Sequence, residues 1–249
     1  MVELLRREMP RLGTRKLHYL LESFYEEHQI KMGRDALHTL LLDHGLIIQR
    51  RKRYVQTTNS RHWLRKYPNL IANLVVTMPC QLWVSDITYI NLIEGFCYLS
   101  LITDAYSRKI VGHCLYPTLE SEGCIRALNM ALESKTTNHQ HFHHSDRGLQ
   151  YCSTSYVGIL SDAGIEISMT EKGSPYENAI AERVNGILKS ELGLNDVFDD
   201  YSSAIGMVNN AVAVYNSMRP HASCDFLTPD EAHQQSGALK KRWKPTKYN

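Results

Sequence analysis

Three carboxylates stand out by position. Asp86 interrupts the apolar face of "QLWVSDITYI" (81–90), a β-rich stretch with Leu82, Val84, Asp86, Thr88 and Ile90 on one side. Trp83, Ser85, Ile87 and Tyr89 take the other side. Burying an unpaired carboxylate is costly, so Asp86 needs a metal, a cation or several hydrogen bonds; a strand-end pairing with a nearby base is the plainer alternative. Asp146, in "HHSDRGLQY" (143–151), falls where a strand runs out into a loop. Ligands gather at such ends in open α/β sheets. The third comes from "SPYENAIAERVNGILKSEL" (174–192), a helix with three glutamates. Ser174, Pro175 and Glu177 fit the N-cap, first and third helical positions, which assigns Glu177 to capping. Glu191 lies at the far end. Glu182 is left, in a stripe with Asn178, Asn185 and Lys189 that spans roughly 60° of the helix. A solvated helix face is the alternative.

The elements that must position these groups change character along the chain. Leu17, Leu20, Leu21, Phe24 and Tyr25 recur at helical spacing, as do Leu37, Leu40 and Leu41 before Gly45, a helix stop. Two short helices followed by "QRRKR" (49–53) predict a basic, helix-turn-helix-like module over 1–54, with Arg50, Arg51, Lys52 and Arg53 on DNA phosphate. An ordinary helical pair with a solvated charge run is the competing reading. A linker over 55–80 follows, then strands at 81–90, 96–105 and 109–116. Next come a helix at 119–133, a strand near 140–145, a helix near 154–163, a strand at 165–169, the glutamate helix and a helix near 202–216. Three adjacent strands and then alternation predict an α/β core with a mixed five-stranded sheet over 81–235, and a basic tail over 236–249.

Charge agrees with this division. Residues 1–66 hold 14 Lys and Arg against 7 Asp and Glu, whereas residues 67–249 hold 14 against 19. A basic front attracts phosphate backbones, and an acidic middle is either solvated or gathers metal ions. No apolar run is long enough to span a bilayer and the N-terminus begins no signal peptide, which makes cytoplasmic residence the expectation. Six scattered cysteines with no CxxC pair predict buried reduced thiols.

The spacings narrow the choice. Asp86 and Asp146 are 60 positions apart, 35 residues separate Asp146 from Glu182, and Lys189 follows seven positions later. This pattern resembles the catalytic core of retroviral-integrase-like DDE transposases. The words "WVSDITYI", "TDAYSRKIVG", "HSDRGLQY", "SPYENAIAERVNGILKSEL", "YNSMRPH" and "LTPDEA" are similar to insertion-sequence transposases of the IS-three group, specifically their second-frame product. The similarity runs from residue 10 to 235, and "RLGTRKLHYLLE" resembles that group's small helical region. Glu177 stands where the group often has Asp before "NA", a departure that leaves the triad untouched.

The resemblance implies a ribonuclease-H-like fold with Asp86, Asp146 and Glu182 as catalytic and metal-binding residues. Converging carboxylates repel one another, and hard oxygen ligands suit Mg²⁺ or Mn²⁺. Two ions would activate a water or 3′-hydroxyl and stabilise the leaving oxygen at phosphorus. The implied reaction is DNA cleavage at transposon ends followed by strand transfer, without a Ser or Tyr nucleophile. Lys189 and Asn178 are candidate DNA contacts. Asp104 in "TDAYSR" reads as a turn residue, and His141, His143 and His144 lack the spacing of a closed zinc site. The resemblance further implies a homo-oligomer on DNA, residence in the bacterial cytoplasm with nucleoid association when DNA-bound, and an upstream-frame helix-turn-helix product as a possible partner. A ribonuclease-H-like nuclease or resolvase, and a non-catalytic DNA-binding relic, are the rival functions.

Overall fold

The computed structural model describes residues 1–48, 62–135, 139–171 and 178–242. Four short helices lead: α1 (Val2–Glu8), α2 (Thr14–Leu20), α3 (Glu22–Glu27) and α4 (Arg34–Asp43). The sequence pattern predicts two. The seven-residue α1 is too short to show a repeating apolar stripe, and the α2–α3 break is a single residue, Leu21. Gly45 does end α4: at φ +67° it lets Leu46 N donate to Leu41 O at 2.7 Å, closing the last turn.

A mixed sheet forms the centre. β1 (Leu82–Leu92), β2 (Gly95–Asp104) and β3 (Ile110–Tyr116) make an antiparallel meander. On the other side of β1, β4 (Phe142–Ser145) and β5 (Glu166–Met169) run parallel to it, giving the order β3-β2-β1-β4-β5. These are the five expected strands. A sixth, β6 (Val197–Phe198), pairs with β1 at Asn91 and Leu92, and two residues are too few to show an alternation. The helices α5 (Ser121–Glu133), α6 (Thr154–Asp162), α7 (Ala179–Glu191), α8 (Tyr201–Met218) and α9 (Pro229–Ala232) surround the sheet.

Two apolar layers fix the helices in place. Trp83, Ile102 and Val111 pack against Cys124, Ala127, Leu128 and Ala131 of α5 and Tyr156 and Leu160 of α6. On the opposite face Ile90, Leu99 and Leu101 meet Val184 and Leu188 of α7 and Val208 and Tyr215 of α8. Leu17, Leu21, Leu37 and Leu41 of the front helices belong to this same cluster, so the front is docked on the core. Helix α5 sits so close to β3 that a Cβ on Gly112 would fall 2.0 Å from Ala127 O. Gly112→Ala is therefore expected to force α5 off the sheet and cost about 1–3 kcal/mol or more, read as a lower denaturation midpoint.

The stretch read as a linker is tied to the core at several points of its described part, 62–80. Leu70 N donates to Ser168 Oγ at 2.9 Å and Met169 N donates to Pro68 O at 3.3 Å, so the segment runs as a strap beside β5. Ile71, Leu74 and Val76 pack with Leu82, Val84 and Phe142. The tail's Lys240 O accepts from Asp225 N, and residues 243–249 lie outside the described part.

Candidate active site

Register brings the two aspartates together. β1 and β4 pair in parallel as Leu82–Phe142, Trp83–His143 and Val84–His144. Asp86 on β1 and Asp146, just past the end of β4, each lie two residues beyond the last pair. Parallel neighbours stand about 4.8 Å apart. Both carboxylates line one cleft, with Ile87, Leu119, Gly148, Gln150 and Tyr151 as its other walls. Asp86 Oδ1 accepts from Ile87 N (2.9 Å) and Oδ2 accepts from Asn185 Nδ2 (2.7 Å). Asp146 Oδ1 accepts from Gly148 N at 2.9 Å, and a Cβ on Gly148 would come equally close to that oxygen. Gln150 Nε2 closes one wall by donating to Leu119 O.

Electrostatics mark the pair as unsettled. Burial, the charge of Asp146 and, less strongly, that of Glu182 push the Asp86 carboxyl up to about 7, against the hydrogen bonds from Asn185 and Ile87. The fold thus holds two like charges close together, with the Lys189 ammonium acting on Asp86. Among the described residues, no three His, Cys, Asp or Glu side chains stand close enough together to hold a metal ion.

Helix α7 reaches the pair through Asn185. Its described part runs from Ala179, with Asn178 before it, and the capping pattern read from Ser174 and Pro175 lies outside the described residues. The Asn178 amide is spent on tertiary structure: it donates to Ser85 O at 3.0 Å, which fastens α7 to β1. Ser174, Pro175 and Glu177 lie outside the described residues, as do Arg50, Arg51, Lys52 and Arg53. Glu182 is exposed in the first turn of α7 and acts on Asp86 through its charge. Lys189 lies with its ammonium 3.9 Å from the centre of the Tyr89 ring; burial lowers its pKa to about 8, opposed by the charge of Asp86. Asn185 is the neighbour of Asp86 that the sequence reading left without a role. Its signal was there, since it lies three residues after Glu182 on the same stripe.

The remaining polar groups have local work. Asp104 is fully buried; its Oδ1 accepts from Tyr106 N, Ser107 N and Ser107 Oγ, and its Oδ2 accepts from Cys80 N at 2.7 Å. It is the turn residue the sequence predicts. His143 Nε2 lies 2.6 Å from Ser85 Oγ and 2.9 Å from Tyr156 OH, and burial pushes its pKa down to about 3. His144 Nδ1 pairs with Ser168 Oγ, and the His141 ring stands edge-on to Trp83. All six cysteines are free thiols, five of them buried. No described helix is long and apolar enough to cross a membrane.

Comparison with known proteins places the chain in a family. The integrase core domain matches residues 76–175, and a second integrase core domain matches residues 163–229. An uncharacterized 31 kDa protein of insertion element IS600 from Shigella sonnei is 36% identical over 219 residues, covering 87% of this chain and 79% of its own length. The transposase for insertion sequence element IS629 from Shigella sonnei is 34% identical over 163 residues (66% and 55% of the two chains). Transposase InsF for insertion sequence IS3A from Escherichia coli is 31% identical over 189 residues (75% and 66%). Among solved structures, the HTLV-2 integrase catalytic core domain in complex with magnesium superposes with a TM-score of 0.51 at 19% identity, over 63% of this chain and 98% of that one. A chain of the simian T-cell lymphotropic virus intasome in complex with PP2A regulatory subunit B56 gamma gives 0.56 at 16% identity, over 100% and 80%. These likenesses identify the ribonuclease-H-like fold, and the sequence relatives identify more: the chain belongs to the insertion-sequence transposases built on an integrase-like core.

Proposed function

We propose that the chain is a DDE transposase that cleaves DNA at the ends of its element and joins the freed 3′-hydroxyl to target DNA. One observation carries the reading: Asp86 and Asp146 share a cleft in which burial and mutual repulsion raise the Asp86 pKa to about 7. Two carboxylates in one cleft suit a hard divalent cation, Mg²⁺ or Mn²⁺: Asp86 and Asp146 would hold one or two ions, and Glu182, which is not gathered with them in this structure, is assigned as the third ligand. When bound, the ion supplies activation of the attacking hydroxyl and charge stabilisation at phosphorus. The chain's own residues do the positioning. Asn185 and the Ile87 amide hold the two oxygens of Asp86, and the Gly148 amide holds Asp146. Lys189, beside this pair, is assigned a DNA phosphate, as are Arg50, Arg51, Lys52 and Arg53 of the basic front. Assembly of two or more copies on DNA, with or without an upstream-frame helix-turn-helix product, belongs to the same reading.

The direct test is incubation with the element's own end sequences and mapping of nicked 3′ ends. Nicking is expected with Mg²⁺ or Mn²⁺ and none with chelator; full turnover in chelator would sink the proposal. A second test needs no substrate. In metal-free buffer the raised Asp86 pKa favours the fold while the carboxyl is protonated. That contribution is complete below about pH 4 and is lost as pH rises through about 7. Mg²⁺ should restore it by binding the folded state, so the metal-induced rise in Tm is expected to grow between about pH 5 and 8. A pH-independent rise would place the metal elsewhere.

A further inference from the structure

The strap beside β5 carries a side chain that its own packing leaves unused. Trp63 is 91% exposed, the greatest exposure of any large apolar side chain among the described residues. Its neighbours are fixed. His62 Nε2 pairs with Arg147 O at 2.8 Å, on the residue next to Asp146. Leu64 and Tyr67 pack into the cluster beneath α5 and α6. Lys66 Nζ closes the turn by donating to His62 O, and the Arg65 guanidinium lies 5.0 Å from the centre of the Tyr67 ring. The indole therefore stands on an anchored backbone rather than a free loop. Arg65 and Lys66 are exposed beside it, and Arg147 is half-buried at the same place.

An exposed tryptophan on an anchored segment that also carries two exposed cations and is tied to the residue after Asp146 suits one class of occupant. A protein partner of ordinary composition would cover an apolar patch, but here a single flat ring shares its segment with the exposed cations Arg65 and Lys66. Nucleic-acid strands offer both complements, since an unpaired base presents a π-face and its phosphates seek cations. Paired bases inside a duplex present no free face. We infer that Trp63 is a stacking platform for an unpaired base at a DNA end, with Arg65 and Lys66 on the adjoining phosphates. The inference rests on the reading of the cleft as a DNA strand-transfer site and adds how a frayed end is held there.

The experiment measures binding of the full chain, as wild type, Trp63→Ala and Trp63→Phe, to a short blunt duplex and to the same duplex carrying a few unpaired terminal nucleotides. Wild type should prefer the unpaired end. Trp63→Ala should lose about tenfold on that substrate and stay within about twofold on the blunt one, with Trp63→Phe between. Equal losses on both substrates, or no loss on the unpaired end, would overturn the platform. So would a change of oligomeric mass in Trp63→Ala with end binding intact, which would make the ring a protein contact. Mg²⁺-dependent nicking by wild type is assayed in parallel. Its absence alongside a Trp63-dependent end preference overturns the strand-transfer reading and leaves the base platform standing.

Discussion

Replacement of Asp86 by Asn is expected to do two opposite things at once. DNA nicking should fall by at least about a thousandfold, because losing one ligand charge removes several kcal/mol of transition-state stabilisation. The metal-free protein should meanwhile become more stable. At about pH 8 the wild-type carboxylate is ionised against burial and against Asp146, and each pKa unit of elevation is worth about 1.4 kcal/mol. Asp86 retains some contact with solvent, so a gain on the order of 2 kcal/mol is expected, or roughly 5 °C in Tm. The shape is conserved: Asn185 Oδ1 is buried without a partner, so the Asn185 amide can turn over and accept from the new side chain. Mg²⁺ should no longer raise Tm in this variant. A nicking assay checks the first part and calorimetry with and without metal the other two, and a wild-type Tm above that of the variant in metal-free buffer at pH 8 would contradict the account of the cleft.

The second large effect belongs to Glu191. Its carboxylate receives Arg219 Nε at 2.9 Å and Arg219 Nη2 at 3.0 Å, with Lys16 Nζ also at 3.0 Å. Arg219 is 1% exposed. Burial works against ionisation of Glu191, and the two cations outweigh it, leaving its pKa below the ordinary value. Lys16 is pulled down to about 8, by burial first and by the charge of Arg219 second. Glu191→Gln would leave two cations facing each other out of water. Removing one partner of a buried pair costs about 3–5 kcal/mol, so Tm should drop by about 10 °C. Adding Lys16→Met and Arg219→Met to Glu191→Leu should recover much of that loss, since apolar replacement of a buried ionic group is often neutral. A Glu191→Gln variant as stable as wild type would show that the contact is not structural.

What a sequence reveals of this molecule depends on how local the signal is. Asp104 was legible as a turn residue because its partners, Tyr106 and Ser107, lie two and three positions on. Asp86 was legible because a carboxylate broke an apolar face, and Asp146 because a strand ended beside it. Glu191 looked remote and idle. Its partners Lys16 and Arg219 are 175 and 28 residues away, a distance no periodicity reports. The strap read as a linker because turn-forming residues and prolines suggest a loose chain. Its attachment to β5 runs mainly through backbone atoms, which leave no mark on composition. The tie from the Asn178 amide to Ser85 O, 93 residues away, is likewise one that no helical period reports.

That strap has a consequence for how the protein behaves in solution. β5 is the outermost strand on its side of the sheet, and an outermost strand with open amides invites pairing with a strand of another molecule. Here Pro68 O takes up the Met169 amide and Ser168 Oγ is occupied by Leu70 N, while the proline itself has no amide to offer a newcomer. The segment thus acts as a gatekeeper against edge-to-edge polymerisation. Versions of the protein shortened to begin at β1 would leave that edge bare, and precipitation during expression is the behaviour to anticipate from them.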